Sequence, residues 1–393
     1  MNLQRFFIVL ISLFGFNSCK NDLKVNAPYK EIPSVYAVLN PQEKVQIIRV
    51  NKVFLGEGDA NKMAQISDSI NYPAGEITVT LNRFLNGVQV DANPILKKRT
   101  IVFRDSMILA SEGAFNRNQR VYVAYDDLHV DTAIINPSTG LNINQKWKVE
   151  GDYVLTIKNN RTGNIFTAKS TILDSVRLSG FPPFAPPFYP VPPGVYPATN
   201  TGAYLDYSSQ TQDPKNAYTT RYSPNDGKIY NLAMRLHFFE DLGLQGKVNR
   251  YVDYVFGNQL LKDITPSPTG EKYLVNTFLG RDLFSNVGLS LSKLGLTDNL
   301  IGRKMYKIQF FVYTSTQDYD DYLKFSAPSF NISQNKPLYS NFDNKAALGL
   351  FTFRSRCSVV KDMAAAFVNE FAYNANTCKY KFMTFDNLVP GCK

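Results

Sequence analysis

The stretch Phe181–Pro197 (FPPFAPPFYPVPPGVYP) packs eight of the chain's 21 prolines into 17 residues. Proline supplies no backbone N–H and fixes φ, so this stretch can be neither helix nor central strand. It predicts a semi-rigid, polyproline-like connector over 177–200. That connector divides 393 residues into two parts, each of ordinary domain size. Phe184, Phe188, Tyr189 and Tyr196 would stand out from it as apolar contacts. Two readings fit those aromatics. One is a stiff interdomain linker, and the other is a loop that docks a partner.

Both flanks read as β. Before the connector, Val45–Val53, Glu76–Phe84, Val121–Val130 and Tyr153–Lys158 alternate apolar with polar residues and are rich in β-branched side chains. Asn159–Gly163 is a turn, and Asn164–Ser170 returns as a strand. Strands of this length and spacing predict an immunoglobulin-like β-sandwich over 32–176. After the connector, Tyr230–Phe239, Asn249–Phe256, Lys272–Phe278, Lys304–Thr314 and Leu348–Val359 are longer and more aromatic. They predict a second β-rich domain over 201–393, a sandwich or a partly closed barrel. Short helices are expected at Thr316–Lys324 and Val360–Phe371. The fold class expected is therefore mainly β.

Composition removes several functions. Charged residues make up 19% of the chain, too few for a disordered or coiled-coil protein. Two His exclude a three-His zinc site and leave a Ser–His–Asp triad two candidate bases. Asp127, His129 and Asp131 alternate on one strand face and could hold a metal, or form the wet side of a half-buried strand. Asp318, Asp320 and Asp321 could bind calcium, or charge a helix N-terminus without an EF-hand glycine. His237, between Leu236 and Phe238, reads as structural or catalytic. The sequence contains no G-x-S-x-G, H-E-x-x-H, Walker or C-x-x-C motif, and nothing marks a glycosidase pair among its 33 acids. No catalytic residue, metal or cofactor is expected. The net charge of +10 is scattered, with Lys97-Lys98-Arg99 the longest basic run, so nucleic acid is not an expected partner.

The N-terminus addresses the chain. Met1–Arg5 carries one cation, and Phe6–Phe16 (FFIVLISLFGF) is an apolar run of eleven residues. A bilayer span needs about 20 apolar residues, so the run fits a signal peptide over 1–18 instead. Phe16-Asn17-Ser18-Cys19 resembles a bacterial lipobox, with Phe16 where Leu is usual, a departure that Bacteroidota lipoboxes tolerate. The resemblance implies that Cys19 is lipidated and becomes the new N-terminus, with 19–31 as a tether to the membrane. Lys20-Asn21-Asp22 resembles a surface-export signal, which implies the cell-surface leaflet of the outer membrane. That oxidising setting permits one bridge among Cys357, Cys378 and Cys392. Cys378–Cys392 is expected, stapling the C-terminal tail, with Cys357 buried in an apolar strand. Asp68-Ser69-Ile70, Asp105-Ser106-Met107, Asp131-Thr132-Ala133 and Asp174-Ser175-Val176 resemble the O-glycosylation sequon of Bacteroidota surface proteins. They imply glycans on Ser69, Ser106, Thr132 and Ser175.

Pro33–Glu57 (PSVYAVLNPQEKVQIIRVNKVFLGE) and Pro337–Phe353 (PLYSNFDNKAALGLFTF) resemble an uncharacterised Bacteroidota outer-membrane lipoprotein family. Its members are often encoded beside TonB-dependent receptors. The second stretch carries Ser340-Asn341 and Gly349-Leu350-Phe351, where Ser-Asn precedes a Gly-apolar-Phe strand. With the Cys19 anchor, the two β domains and the 181–197 loop, the expectation is a non-enzymatic accessory subunit on an outer-membrane β-barrel, a TonB-dependent transporter, with a glycan or peptide as its candidate ligand. Two alternatives stay open: a scaffold in an outer-membrane assembly or secretion machine, and a surface glycan-binding module or hydrolase.

Overall fold

The computed structural model describes residues 32–53, 62–109, 118–125, 131–135, 142–146, 151–173, 204–205, 218–222, 226–264, 274–326, 338–343 and 347–392, apart from a few single positions. They are mainly strand, with few helices, as the alternation in the sequence predicts. Cys19, Ser175 and the aromatics Phe184, Phe188, Tyr189 and Tyr196 lie outside the described residues.

The first lobe holds β1 (Pro33–Leu39), β2 (Val45–Lys52), β3 (Ile77–Leu85), β4 (Val88–Val90), β5 (Thr100–Leu109), β6 (Asn118–Tyr125), β7 (Asp131–Ile135), β8 (Asn142–Lys146), β9 (Asp152–Asn159) and β10 (Ile165–Thr171). Helix α1 (Ser67–Ile70) sits between β2 and β3. The period-2 pattern puts alternate residues on one face. Val79 on β3 lies opposite Ile157 on β9, and Leu81 opposite Leu155, and all four are buried. Such cross-strand apolar pairs each contribute roughly 0.2–1 kcal/mol beyond small-residue pairs.

The second lobe holds β11 (Tyr204–Leu205), β12 (Tyr218–Tyr222), β13 (Ile229–Asp241), β14 (Lys247–Leu260), β15 (Leu274–Phe278), β16 (Gly302–Ser315) and β17 (Leu348–Met363). Its helices are α2 (Gly280–Leu294), α3 (Gln317–Ser326) and α4 (Ala365–Tyr373). One face of its sheet packs under α2 and α4. Leu232, Met234, Leu236 and Phe238 of β13 meet Leu283, Phe284, Val287 and Leu291 of α2 and Phe367 and Phe371 of α4.

One sheet runs through both lobes, in the order β10-β9-β3-β5-β6-β2-β1-β17-β16-β13-β14. The joint is β17. Its first half, Leu348–Phe353, pairs parallel with Ser34–Leu39 of β1. Its second half, Arg354–Asp362, pairs antiparallel with Ser315–Lys307 of β16. Phe351 and Phe353 enter the first core, while Cys357 and Met363 pack on the second, so odd positions feed both cores from one side. Ala168 of β10 bridges Phe342, which brings the first lobe's far edge back to the segment leading into β17.

Two expectations need correction. The division that assigned all of 201–393 to a second domain fails at its end, because Phe342, Ala347, Phe351 and Phe353 belong to the first core. The helix expected from Val360 begins at Ala365 instead. Val360 and Asp362 still pair with Gln309 and Lys307, and that ladder keeps the chain extended through Met363. Helix α2 was not expected at all, although Leu283, Phe284, Val287 and Leu291 carry helical spacing.

Candidate functional site

The sheet face of the second lobe opposite α2 and α4 carries the densest grouping of chemistry. Strand alternation selects its members. Arg235 lies opposite Asp253 on one side and Gln309 on the other. His237 lies opposite Tyr251 and Lys307. Tyr313 lies opposite Arg356, and Phe311 opposite Ser358. All of these project away from the core, because the intervening residues Leu236, Phe310 and Val312 are buried within it.

The arginines lie on aromatic rings. The Arg235 guanidinium sits 3.8 Å from the Tyr251 ring centroid and 5.0 Å from that of Phe311. It donates to Asp253 through Nε at 2.8 Å and Nη2 at 2.9 Å. That pairing leads the influences that raise its pKa further. Arg354 lies 3.9 Å from the Tyr313 centroid and 5.8 Å from that of Tyr319 on α3. Arg356 reaches Phe311 at 5.7 Å and pairs with Glu43 at 3.2 Å, and its backbone N–H donates to Gln42 Oε1 at 3.1 Å. Phe311 and Tyr313 stack at 6.1 Å. A guanidinium on a ring keeps unused N–H donors facing outward, and the stacking fixes its rotamer. The face is thus a pre-organised set of donors and ring edges, suited to holding a polar or acidic partner surface.

His237 belongs to this face. Its Nε2 is 3.0 Å from Gln309 Oε1, and its ring contacts Tyr251 and Tyr306. Burial lowers its pKa, the Gln309 contact opposes that shift, and Lys307 and Arg235 reinforce the burial. Gln309 and the two tyrosine rings hold the imidazole in place on the sheet face.

The other sequence candidates disperse. Asp318 accepts from the Tyr339 hydroxyl at 2.8 Å, Asp321 from Gln317 at 2.9 Å, and Asp320 pairs with Lys324. These acids therefore serve α3. Asp127 and His129 lie outside the described residues, and Asp131 opens β7. Among the described residues no three His, Cys, Asp or Glu side chains gather to share a metal. Ser69 is half-buried on α1, and Ser106 sits within β5 opposite Val121. Its neighbour Asp105 pairs with Arg120 at 2.5 Å. Thr132 lies on β7 opposite Gln145. Cys378 and Cys392 are joined in a disulfide, with Cα atoms 5.3 Å apart. Cys357 is half-buried against the second core rather than fully enclosed.

The arginine–aromatic face was missed in the sequence. Its signal is present in Leu348–Met363, where Arg354, Arg356 and Ser358 alternate with Phe353, Ser355 and Cys357. No family model, characterised protein or solved structure matches the chain.

Proposed function

We propose that the chain is a lipid-anchored outer-membrane lipoprotein, exposed at the cell surface as a non-enzymatic accessory subunit of an outer-membrane β-barrel, a TonB-dependent transporter. The lipobox-like run ending at Cys19 and the family resemblance motivate the location and the partner. The observation that carries the binding role is the outward face of β13, β16 and β17, where Arg235, Arg354 and Arg356 lie fixed on Tyr251, Tyr313 and Phe311. Rigid donors of this kind hold a partner with little loss of side-chain entropy. The shared sheet ties this face to the N-terminal lobe through β17.

The test is a mild-detergent pull-down of the tagged, lipidated protein, followed by mass spectrometry. A single TonB-dependent receptor is expected. The double substitution Arg354→Glu with Arg356→Glu should release it while a cooperative thermal transition is retained, and deletion of 181–197 should weaken it. Recovery of barrel-assembly proteins with several lipoproteins would replace this reading with the scaffold. Recovery of no barrel, or recovery unaffected by both changes, would refute it.

A further inference from the structure

We infer that the cavity between β1, β2 and α3 is a binding site for an acidic sugar. It encloses about 540 Å³, within the roughly 300–1,000 Å³ range of small-ligand sites. It opens away from the first core. Its floor is two cross-strand pairs on one face, Ser34 opposite Asn51 and Tyr36 opposite Arg49. Ile70 of α1, Gln119 of β6 and Tyr322 of α3 wall it in.

Charge selects the ligand's sign. Arg49 and Lys52 both line the cavity, and among the described residues its lining includes no carboxylate. Lys52 is partly occupied, because its Nζ donates to the Asp68 carbonyl at 3.2 Å and lies 5.6 Å from the Tyr72 ring centroid. Arg49 differs: among the described residues no carboxylate pairs with it. A half-buried guanidinium with its fork open is matched by a carboxylate, which it can bind through two parallel hydrogen bonds.

Shape and polarity select the body of the ligand. The Tyr36 and Tyr322 rings lie 5.8 Å apart at 49°, offering a tilted pair of apolar surfaces. Burial, then the neighbouring tyrosines, push the Tyr36 hydroxyl up to about 12, so it stays a neutral donor. Among the described residues the hydroxyls of Ser34, Tyr36 and Tyr322 make no hydrogen bond. Ring faces interleaved with the hydroxyls of Ser34, Tyr36 and Tyr322 suit a ring that bears hydroxyl groups. A flat aromatic acid would leave those polar groups unanswered. The site neighbours the arginine face, since α3 supplies Tyr322 to the cavity and Tyr319 to Arg354 and the Arg354 charge reaches Tyr36, but its lining includes none of Arg235, Arg354 and Arg356.

The test is calorimetric titration of the purified full chain with D-glucuronate, D-glucose and benzoate. Glucuronate should bind at least about tenfold more tightly than glucose, since charge-assisted hydrogen bonds contribute about 1.5–3 kcal/mol. Arg49→Gln should weaken glucuronate at least about tenfold at an unchanged melting temperature. Tyr322→Ala, which removes the half-buried ring that α3 lends to the cavity, is the second variant and should also weaken it. Absence of glucuronate binding, equal affinity for glucose, stronger binding of benzoate, or an unchanged affinity in both variants would each overturn the proposal.

Discussion

Glu240→Gln should be the most damaging isosteric substitution in the second lobe. Glu240 and Arg303 are 2% and 0% exposed, respectively. Glu240 Oε1 accepts from Arg303 Nε at 2.9 Å and from Nη2 at 2.6 Å, while Oε2 accepts from Thr297 at 3.0 Å and from Arg250 at 3.2 Å. Arg303 also donates to the Gly295 carbonyl at 2.7 Å. Its backbone holds the tail, donating to the Lys381 carbonyl at 2.8 Å and accepting from Met383 at 2.6 Å. Glutamine keeps the shape but strips the counter-charge from a fully buried guanidinium. Removing one partner of such a pair costs about 3–5 kcal/mol. At about 2–4 °C per kcal/mol for a unit of 150–250 residues, the melting temperature should fall by about 6–20 °C. The control is the double replacement Glu240→Met with Arg303→Met, which removes both charges and should recover most of the loss. Differential scanning calorimetry of the three variants decides it. A fall of less than about 1 kcal/mol in Glu240→Gln, or a double variant worse than the single one, would refute the reasoning.

Gly349→Ala should cost about 3 kcal/mol in chemical denaturation, because φ there is 114° and a Cβ would collide with the Val35 carbonyl on β1; a near-neutral result would mean the β1–β17 pairing relaxes freely. Reducing the Cys378–Cys392 disulfide, or making Cys392→Ser, should lower stability by about 3 kcal/mol for a 14-residue separation and open the tail to proteolysis first. His237 binds its proton more weakly in the folded state than at its ordinary value of 6.5, so its contribution is complete above that value and declines as pH falls below it. A stability–pH curve should flatten in that window in His237→Gln, and an unchanged curve would count against the assignment. Residues 32–176 expressed alone should lack a cooperative thermal transition, since they leave β1 without Leu348–Phe353 and the core without Phe342, Phe351 and Phe353.

The strands were legible because half-buried sheet writes its burial into alternate positions. Ile77, Val79 and Leu81 of β3 and Tyr153, Leu155 and Ile157 of β9 are all buried, and their neighbours in sequence are not. Helix α2 was legible in principle. Asp282 in its first turn, Lys293 in its last and Gly295 beyond it are ordinary helix punctuation around the buried stripe. The binding faces were harder to see, since they depend on register. Nothing local says that Tyr36 will stand opposite Arg49, or that Arg235 will lie between Tyr251 and Phe311. The domain boundary failed for the same reason. A parallel pairing between residues more than 300 positions apart leaves no local trace.

The Ser340-Asn341 and Gly349-Leu350-Phe351 motif shows what such a long-range joint requires. Asn341 uses its side-chain amide as a strand would use its backbone, donating to the Phe351 carbonyl at 2.7 Å and accepting from the Phe351 N–H at 2.9 Å. Ser340 Oγ donates to the Ala347 carbonyl at 2.6 Å and accepts from the Phe342 N–H at 3.2 Å. These bonds hold the start of β17 extended, and Gly349 lets it approach β1 where a side chain would collide. Each buried backbone group left unmade would cost about 1–3 kcal/mol, so the amide and the glycine are needed together. The same strand then presents Arg354 and Arg356 to solvent in register with Ser315 and Tyr313. The motif therefore sets the position of the arginine–aromatic face proposed as the docking surface. Its residue types follow from backbone geometry, because only glycine fits against the Val35 carbonyl and only a side-chain amide answers both Phe351 backbone groups.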